Sequence, residues 1–173
     1  MVEKSYIGLG SNLGNRLENL SKAVELVDKD GSTSVSNISK IYVSEPKYIS
    51  EQPDFLNAVI EIETSRSPSK LLNLLLKIEG AIGRIRDKKN GPRLIDLDIL
   101  FYGNEIIKSD NLEIPHPLLY ERLFVLKPLM DINSKYMCPV TGKTVSELLS
   151  ITDDIQNTEI YDENIIQMEN THA

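Results

Sequence analysis

The chain has 173 residues, 40% hydrophobic and 26% charged, enough for one compact domain with a substantial core. Its formal net charge of −7 opposes far-field attraction to nucleic acid or anionic membranes, so neither is expected as a partner. Cys138 is the only cysteine, so no intrachain disulfide can form, and no apolar run approaches the ~18 residues of a membrane span. The opening residues, MVEKSYIGLGSN, carry no long apolar stretch, and a reducing cytoplasm fits best.

Residues 5–9 form a short predicted strand that breaks at GSNLG, after which Asn12 or Asn15 can cap a helix reaching to about residue 30. Leu17, Leu20, Val24 and Val27 follow the spacing of one helical face. Residues 34–44, rich in Ser and β-branched side chains, predict a strand, and a loop with two prolines follows. Residues 55–64 alternate, with Leu56, Ala58, Ile60 and Ile62 on the expected core face and Phe55, Asn57, Val59 and Glu61 on the other. Ser67 and Pro68 open a second helix, Leu71, Leu72, Leu75, Ile78 and Ile82 form its stripe, and Gly83 ends it. A charged loop leads to a strand over 94–102, then a small pair of extended segments, the rigid Pro-His-Pro at 115–117 and short helices near 118–126 and 144–150. The order β-α-β-β-α-β predicts an α+β, ferredoxin-like antiparallel sheet with helices on one face and extra C-terminal elements. Residues 1–152 are expected to form the domain and 153–173 an acidic, weakly ordered tail.

Within GPRLIDLDIL, Asp96 and Asp98 are two residues apart in a predicted strand, so they share a face while Ile95, Leu97, Ile99 and Phe101 take the other. Two adjacent carboxylates repel each other unless something positive lies between them, and hard divalent cations prefer such oxygen ligands. Spacing alone favours an exposed strand face with two solvated acids, and it is the neighbouring residues that shift the balance. Arg84, Arg86, Lys88, Lys89 and Arg93 make a cationic island beside the pair. The arginine forks suit anionic oxygens, while the two lysines read as solvated. His116, held between prolines, is a candidate hydrogen-bond donor; His172 and Cys138 have no expected role. Gly8, Gly10 and Gly14 are one residue too widely spaced for a dinucleotide loop, and no Walker A motif occurs.

Five segments then bear on identity: YIGLGSNLGNR (6–16), QPDFLNAV (52–59), IEGAIGRIR (78–86), GPRLIDLDILFYGN (91–104) and IPHPLLYERLFVLKPL (114–129). In this order they closely resemble the 6-hydroxymethyl-7,8-dihydropterin pyrophosphokinases of folate synthesis. The resemblance implies Mg²⁺-dependent transfer of pyrophosphate from ATP to the pterin hydroxymethyl group, releasing AMP. By the same resemblance Asp96 and Asp98 hold two Mg²⁺ ions. Arg84, Arg86, Arg93 and His116 contact the triphosphate, with Glu79 and Arg122 also on the nucleotide side. Phe55 and Phe124 would stack on the pterin, with Ser44 and Asn57 offering polar contacts; a cytoplasmic monomer is expected. Two positions depart from the family pattern: Asn90 stands where an aromatic usually precedes GPR, and Lys47-Tyr48 replace a glycine after Glu45-Pro46. The competing readings are another Mg²⁺-dependent phosphotransferase or nucleotidyl transferase and a non-catalytic ferredoxin-like module for RNA. The acidic balance and the lack of an exposed aromatic sheet motif argue against RNA.

Overall fold

The computed structural model describes residues 1–49, 51–84 and 91–165. Its elements are β1 (Glu3–Ser11), α1 (Arg16–Asp28), β2 (Thr33–Ile38), β3 (Lys40–Ser44), β4 (Phe55–Thr64), α2 (Pro68–Ile82) and β5 (Asp96–Tyr102). A two-strand ribbon of β6 (Ile107–Lys108) and β7 (Glu113–Ile114), a single 3-10 turn, α3 (Leu123–Asn133), α4 (Val145–Ile151) and β8 (Thr158–Ile165) complete it. Every pairing in the main sheet is antiparallel, in the order β5-β1-β4-β3-β8, with β2 also paired to β4. Among the described residues, no helix is long and apolar enough to cross a membrane.

Local chemistry sets most boundaries. The Asn15 side chain accepts the Glu18 amide at 3.1 Å and starts α1, so Asn15 rather than Asn12 is the cap. Ser67 caps α2 with Pro68 in its first turn. Gly83 ends it at φ 109°, a left-handed conformation that favours glycine, and returns its N–H to Glu79 and Gly80. Thr144 and Glu147 form a reciprocal capping box at the start of α4.

The strand expected over 34–44 is broken at Ser39 into β2 and β3. The Ser39 amide still donates to Val59 O at 2.9 Å, while its hydroxyl accepts the Val59 amide at 2.8 Å. One side-chain oxygen thus replaces a ladder carbonyl and lets the strand bend without stranding a buried N–H.

Both faces of the sheet are covered, which corrects the one-sided packing expected from sequence. Leu20, Val24 and Val27 of α1 and Leu71, Leu75 and Ile78 of α2 pack on Ile7, Leu9, Leu56, Ile60 and Ile62. On the opposite face α3 and α4 bury Val125, Leu126, Leu129, Val145 and Leu148 against Tyr6, Val59, Leu100 and Phe101. Phe101 is therefore on the other side from Leu97 and Ile99. The register shifts between Tyr6 and Ile7, so that Tyr6 faces Phe101 and Ile7 faces Ile99, and the extra residue reverses the alternation. Cys138 is fully buried in this second core, 3.4 Å from the Tyr120 hydroxyl.

The acidic stretch read as a weakly ordered tail includes β8, which pairs with β3 from Thr158 to Ile165. Its polar sequence hides this, because an edge strand is held largely by backbone hydrogen bonds that any side chain permits. Residues 166–173 lie outside the described residues.

Ser39→Ala removes the acceptor for a buried amide and is expected to cost about 1–3 kcal/mol. Urea denaturation at neutral pH measures it, and an unchanged midpoint would refute the patching role assigned to the hydroxyl.

Candidate active site

The second face of the sheet is apolar at one end, where α3 and α4 cover it, and polar at the other. Strand register explains the polar end. Gly10 lies between Asp96 of β5 and Asn57 of β4, and Gly8 lies between Asp98 and Val59. Residues paired across a sheet point to the same side, so β1 contributes no side chain between the acids and the amide. A Cβ on Gly10 would stand 3.3 Å from Asn57 Oδ1 and 3.7 Å from Phe55 Cδ1, in the space the glycine leaves open. A cavity results, floored by Gly8 and Gly10. Ser44, Phe55, Asn57, Arg93, Asp96, Asp98, Arg122 and Phe124 all line it.

At the acidic end a chain of ion pairs fixes Asp96. Arg84 Nη1 reaches Glu79 Oε2 at 2.7 Å and Asp96 Oδ1 at 2.9 Å, and Arg93 Nη1 reaches Asp96 Oδ2 at 3.1 Å. Glu79 is only 3% exposed, and the same Oε2 accepts the Leu97 amide at 2.8 Å, so the acid ties α2 directly to the metal-candidate strand. Burial works against the Arg84 charge, but the carboxylates of Asp96 and Glu79 outweigh it and raise its pKa. Arg93 also donates from Nε and Nη2 to Gly91 O, and its guanidinium lies 5.6 Å from the Phe55 ring centroid.

Asp98 differs from its neighbour. Burial, then the charge of Asp96, push its carboxyl up to about 7, with Glu79 adding to the effect and Arg122 and Arg84 opposing it. Two acids on one face with too little positive charge between them are the electrostatic signature of a cation site. The donor set is oxygen throughout, which suits Mg²⁺.

His116 stands beside this group. Its Nδ1 accepts the Leu118 amide at 3.1 Å, which leaves the proton on Nε2. Burial and then the Arg122 charge hold its pKa down to about 4, against the pull of Asp96, so at neutral pH it is an uncharged donor. Arg122 lies between two rings, 5.3 Å from the Tyr48 centroid and 5.4 Å from that of Phe124.

At the other end Asn57 Nδ2 donates to Ser44 Oγ at 2.7 Å, which fixes the amide's orientation within the cavity. Phe55 and Phe124 bring aromatic surface to it from β4 and α3. The predicted residues Arg86, Lys88, Lys89 and Asn90 lie outside the described residues.

Sequence reasoning gave no site role to several contributors. Glu45, Lys47, Tyr48 and Gln52 line the cavity from the loop between β3 and β4. Asn12, 2% exposed, accepts the Arg93 amide at 2.8 Å and donates to Gln52 Oε1 and Pro53 O at 2.9 and 3.0 Å. One asparagine thereby joins the end of β1, the proline loop and the segment before β5. An Asn just after a strand reads only as a helix cap, and no local signal marks this second use.

Comparison with known proteins places the chain in the diphosphotransferase class of enzymes. It is 45% identical over 128 residues to the 2-amino-4-hydroxy-6-hydroxymethyldihydropteridine pyrophosphokinase of Bacillus subtilis, covering 74% of this chain and 77% of that one. Identity to the protein of the same name from Haemophilus influenzae is 43% over 145 residues, covering 84% and 90%. A 48% match over 144 residues to a folic acid synthesis protein of Pneumocystis carinii covers 83% of this chain but only 19% of that much longer protein. The model of the 7,8-dihydro-6-hydroxymethylpterin-pyrophosphokinase family matches residues 6–134, and the chain belongs to that family. The crystal structure of wild-type Plasmodium falciparum HPPK-DHPS with pteroate superposes at a TM-score of 0.71, covering 87% of this chain and 42% of that one. At 18% identity it speaks to the fold alone.

The raised Asp98 pKa carries a stability consequence. An acid whose folded pKa lies above its unfolded value, 3.8, makes the folded state bind more protons between pH 4 and pH 7. Stability therefore falls as pH rises through that window and levels off above it. Asp98→Asn is expected to stabilise the metal-free protein at pH 8, on the order of 1 kcal/mol or more, and to change little near pH 4. Urea titrations at both pH values test this, and an equal shift at each would contradict it.

Proposed function

We propose that this chain transfers pyrophosphate from ATP to 6-hydroxymethyl-7,8-dihydropterin in a Mg²⁺-dependent reaction that releases AMP, a step of folate synthesis. The observation that carries the reading is the strand register. It sets two carboxylates among arginines directly across a glycine floor from an aromatic and amide-lined pocket. A flat, hydrogen-bonding heterocycle and a polyphosphate fit those two ends in one cavity.

In this reading Asp96 and Asp98 hold two Mg²⁺ ions. Bound there, the ions would neutralise triphosphate charge and lower the pKa of the pterin hydroxyl. The chain's own residues do the rest. Arg84, Arg86 and Arg93 grip anionic oxygens, and His116 donates from Nε2 to another. Arg122, placed between Tyr48 and Phe124, adds positive charge where the two substrates meet. Glu79 acts through Arg84, whose orientation it sets. Phe55 and Phe124 stack on the pterin faces, while Asn57, oriented by Ser44, reads its edge. The pterin oxygen forms a bond to the β-phosphorus, the bond from that phosphorus to the α-phosphate oxygen breaks, and the hydroxyl proton passes to solvent. Such transfer asks for alignment and charge neutralisation more than for covalent help.

The order β5-β1-β4-β3, with α1 and α2 on one face, supports a ferredoxin-like βαββαβ core. We read the enzyme as a monomer of the cytoplasm. Residues 1–152 form the catalytic domain in this reading, with β8 added as an edge.

Incubation with MgATP, with and without the hydroxymethyl-dihydropterin, decides the reaction type. AMP formed only when pterin is present is the expected product, whereas ADP would sink the proposal. Asp96→Ala and Asp98→Ala should each lower kcat by about a thousandfold, as for other groups acting on transition-state charge. Circular dichroism should stay unchanged, and near-normal turnover in either variant would refute the metal assignment. Phe124→Ala removes a stacking surface and should raise the pterin KM about tenfold with a smaller change for ATP.

A further inference from the structure

The cavity has one wall that is not part of the sheet. It consists of the loop residues Glu45, Lys47 and Tyr48 together with Arg122 and Phe124 at the start of α3. These two pieces are far apart in sequence, and the link between them comes from a third place. Asp154, whose side chain is 3% exposed, pairs its Oδ1 with Lys47 Nζ at 2.9 Å. Its Oδ2 accepts the Leu123 amide at 2.8 Å, the first N–H of α3. Arg122, at the N-cap position, makes no side-chain cap bond of its own. One buried carboxylate from beyond the family-matched segment therefore caps the helix bearing Phe124 and anchors the loop bearing Tyr48.

Neighbouring contacts reinforce the tether. Gln156 donates its amide to Asp154 Oδ1 at 2.9 Å and its side chain to Glu45 Oε2 and Pro46 O at 3.1 and 3.3 Å. Lys127 Nζ donates to Thr158 O at 2.6 Å, which fastens the same strap to α3. Across the gap so fixed, Arg122 Nε donates to the Tyr48 hydroxyl, which in turn donates to Glu121 Oε1, both at 3.1 Å. That pair closes only while loop and helix stay in place.

We propose that Asp154 is a positioning residue for the pterin end of the site. By holding Lys47 and the start of α3 together it sets Tyr48, Arg122 and Phe124 for substrate. The inference rests on the functional reading above for its substrate, but not for the tether itself. Asp154 touches no reacting atom. Its removal should loosen one wall and leave Asp96 on β5, and Arg93 in the segment before it, in place.

Two measurements on the full chain test this, using Asp154→Ala and Lys47→Met. In ligand-free protein, hydrogen–deuterium exchange in Asp154→Ala should quicken at residues 45–48 and in the first turn of α3, with β1, β4 and β5 unchanged. Fluorescence titration with the dihydropterin, in the presence of a non-hydrolysable ATP analogue, should show pterin affinity falling about tenfold. Affinity for the analogue alone should change by no more than about twofold, because most of its contacts lie outside the tether. Lys47→Met should show a smaller loss of the same kind, and the double variant should be no worse than Asp154→Ala, since both remove one contact. Unchanged exchange at both segments overturns the proposal. So does faster exchange throughout the sheet, or an equal loss of both ligands, because either marks a general loss of stability. Should the unaltered protein bind no pterin, the functional reading fails on that arm, and the exchange measurement alone decides the tether.

Discussion

The site depends on one register: β1 runs between β5 and β4 with Gly10 opposite Asp96 and Asn57, and Gly8 opposite Asp98. A slip by one residue would send both acids to the face that α1 and α2 bury, where uncompensated charge costs several kcal/mol. The same slip would put side chains of β1 into the cavity. Apolar burial on the first face, through Ile7, Leu9, Leu97 and Ile99, therefore specifies the chemistry on the second. The glycines look like a failed dinucleotide loop in sequence. Their use is to be absent as side chains between the carboxylates Asp96 and Asp98 and the aromatic, amide-lined part of the cavity.

That register brings two carboxylates together, and their surroundings split their behaviour. Asp96 accepts hydrogen bonds from Arg84 and Arg93, so its charge is answered within the protein. Asp98, beside it, is lifted toward neutrality by burial and by that very charge. Among the described residues, Asp98 is thus the carboxylate of the pair whose charge is left without a direct partner. A cation bound between the acids would recover the second carboxylate and release a proton near neutral pH, coupling metal affinity to pH. Glu79 governs the balance indirectly. By taking up part of the Arg84 charge and the Leu97 amide together, it fixes the guanidinium on Asp96.

Features governed by short-range rules were legible in the sequence. Period-two alternation put Asp96 with Asp98 and Phe55 with Asn57, and cap chemistry gave Ser67, Pro68 and Gly83 their places. Family resemblance, not geometry, supplied the pterin and the roles of Phe124 and Arg122. What escaped was non-local or hidden by one inserted residue. The bulge that turns Phe101 over has no marker in DILFY, because either face is apolar there. Asn12 reads as a cap because its real partners lie about forty and eighty residues away. Strand β8 is polar, and pairing through the backbone leaves almost no compositional trace.

These differences divide the cavity into a fixed part and an adjustable part. The floor stands on β1 and β4 inside the sheet and the acids on the edge strand β5, whose Leu97 and Ile99 pack into one core and Leu100 and Phe101 into the other, so opening there requires disrupting both. The wall formed by Lys47, Tyr48, Arg122 and Phe124 is a loop and a helix start, joined to a C-terminal strap by a few polar contacts around Asp154. Rigid placement is most valuable where charge develops, since misplaced anion contacts lose the reaction's main source of stabilisation. A wall that, in the proposed reaction, admits and releases a flat heterocycle gains from weaker, reversible ties. Lys47 and Tyr48 add side-chain contacts to that wall, to Asp154, Glu121 and Arg122, that a glycine there could not make.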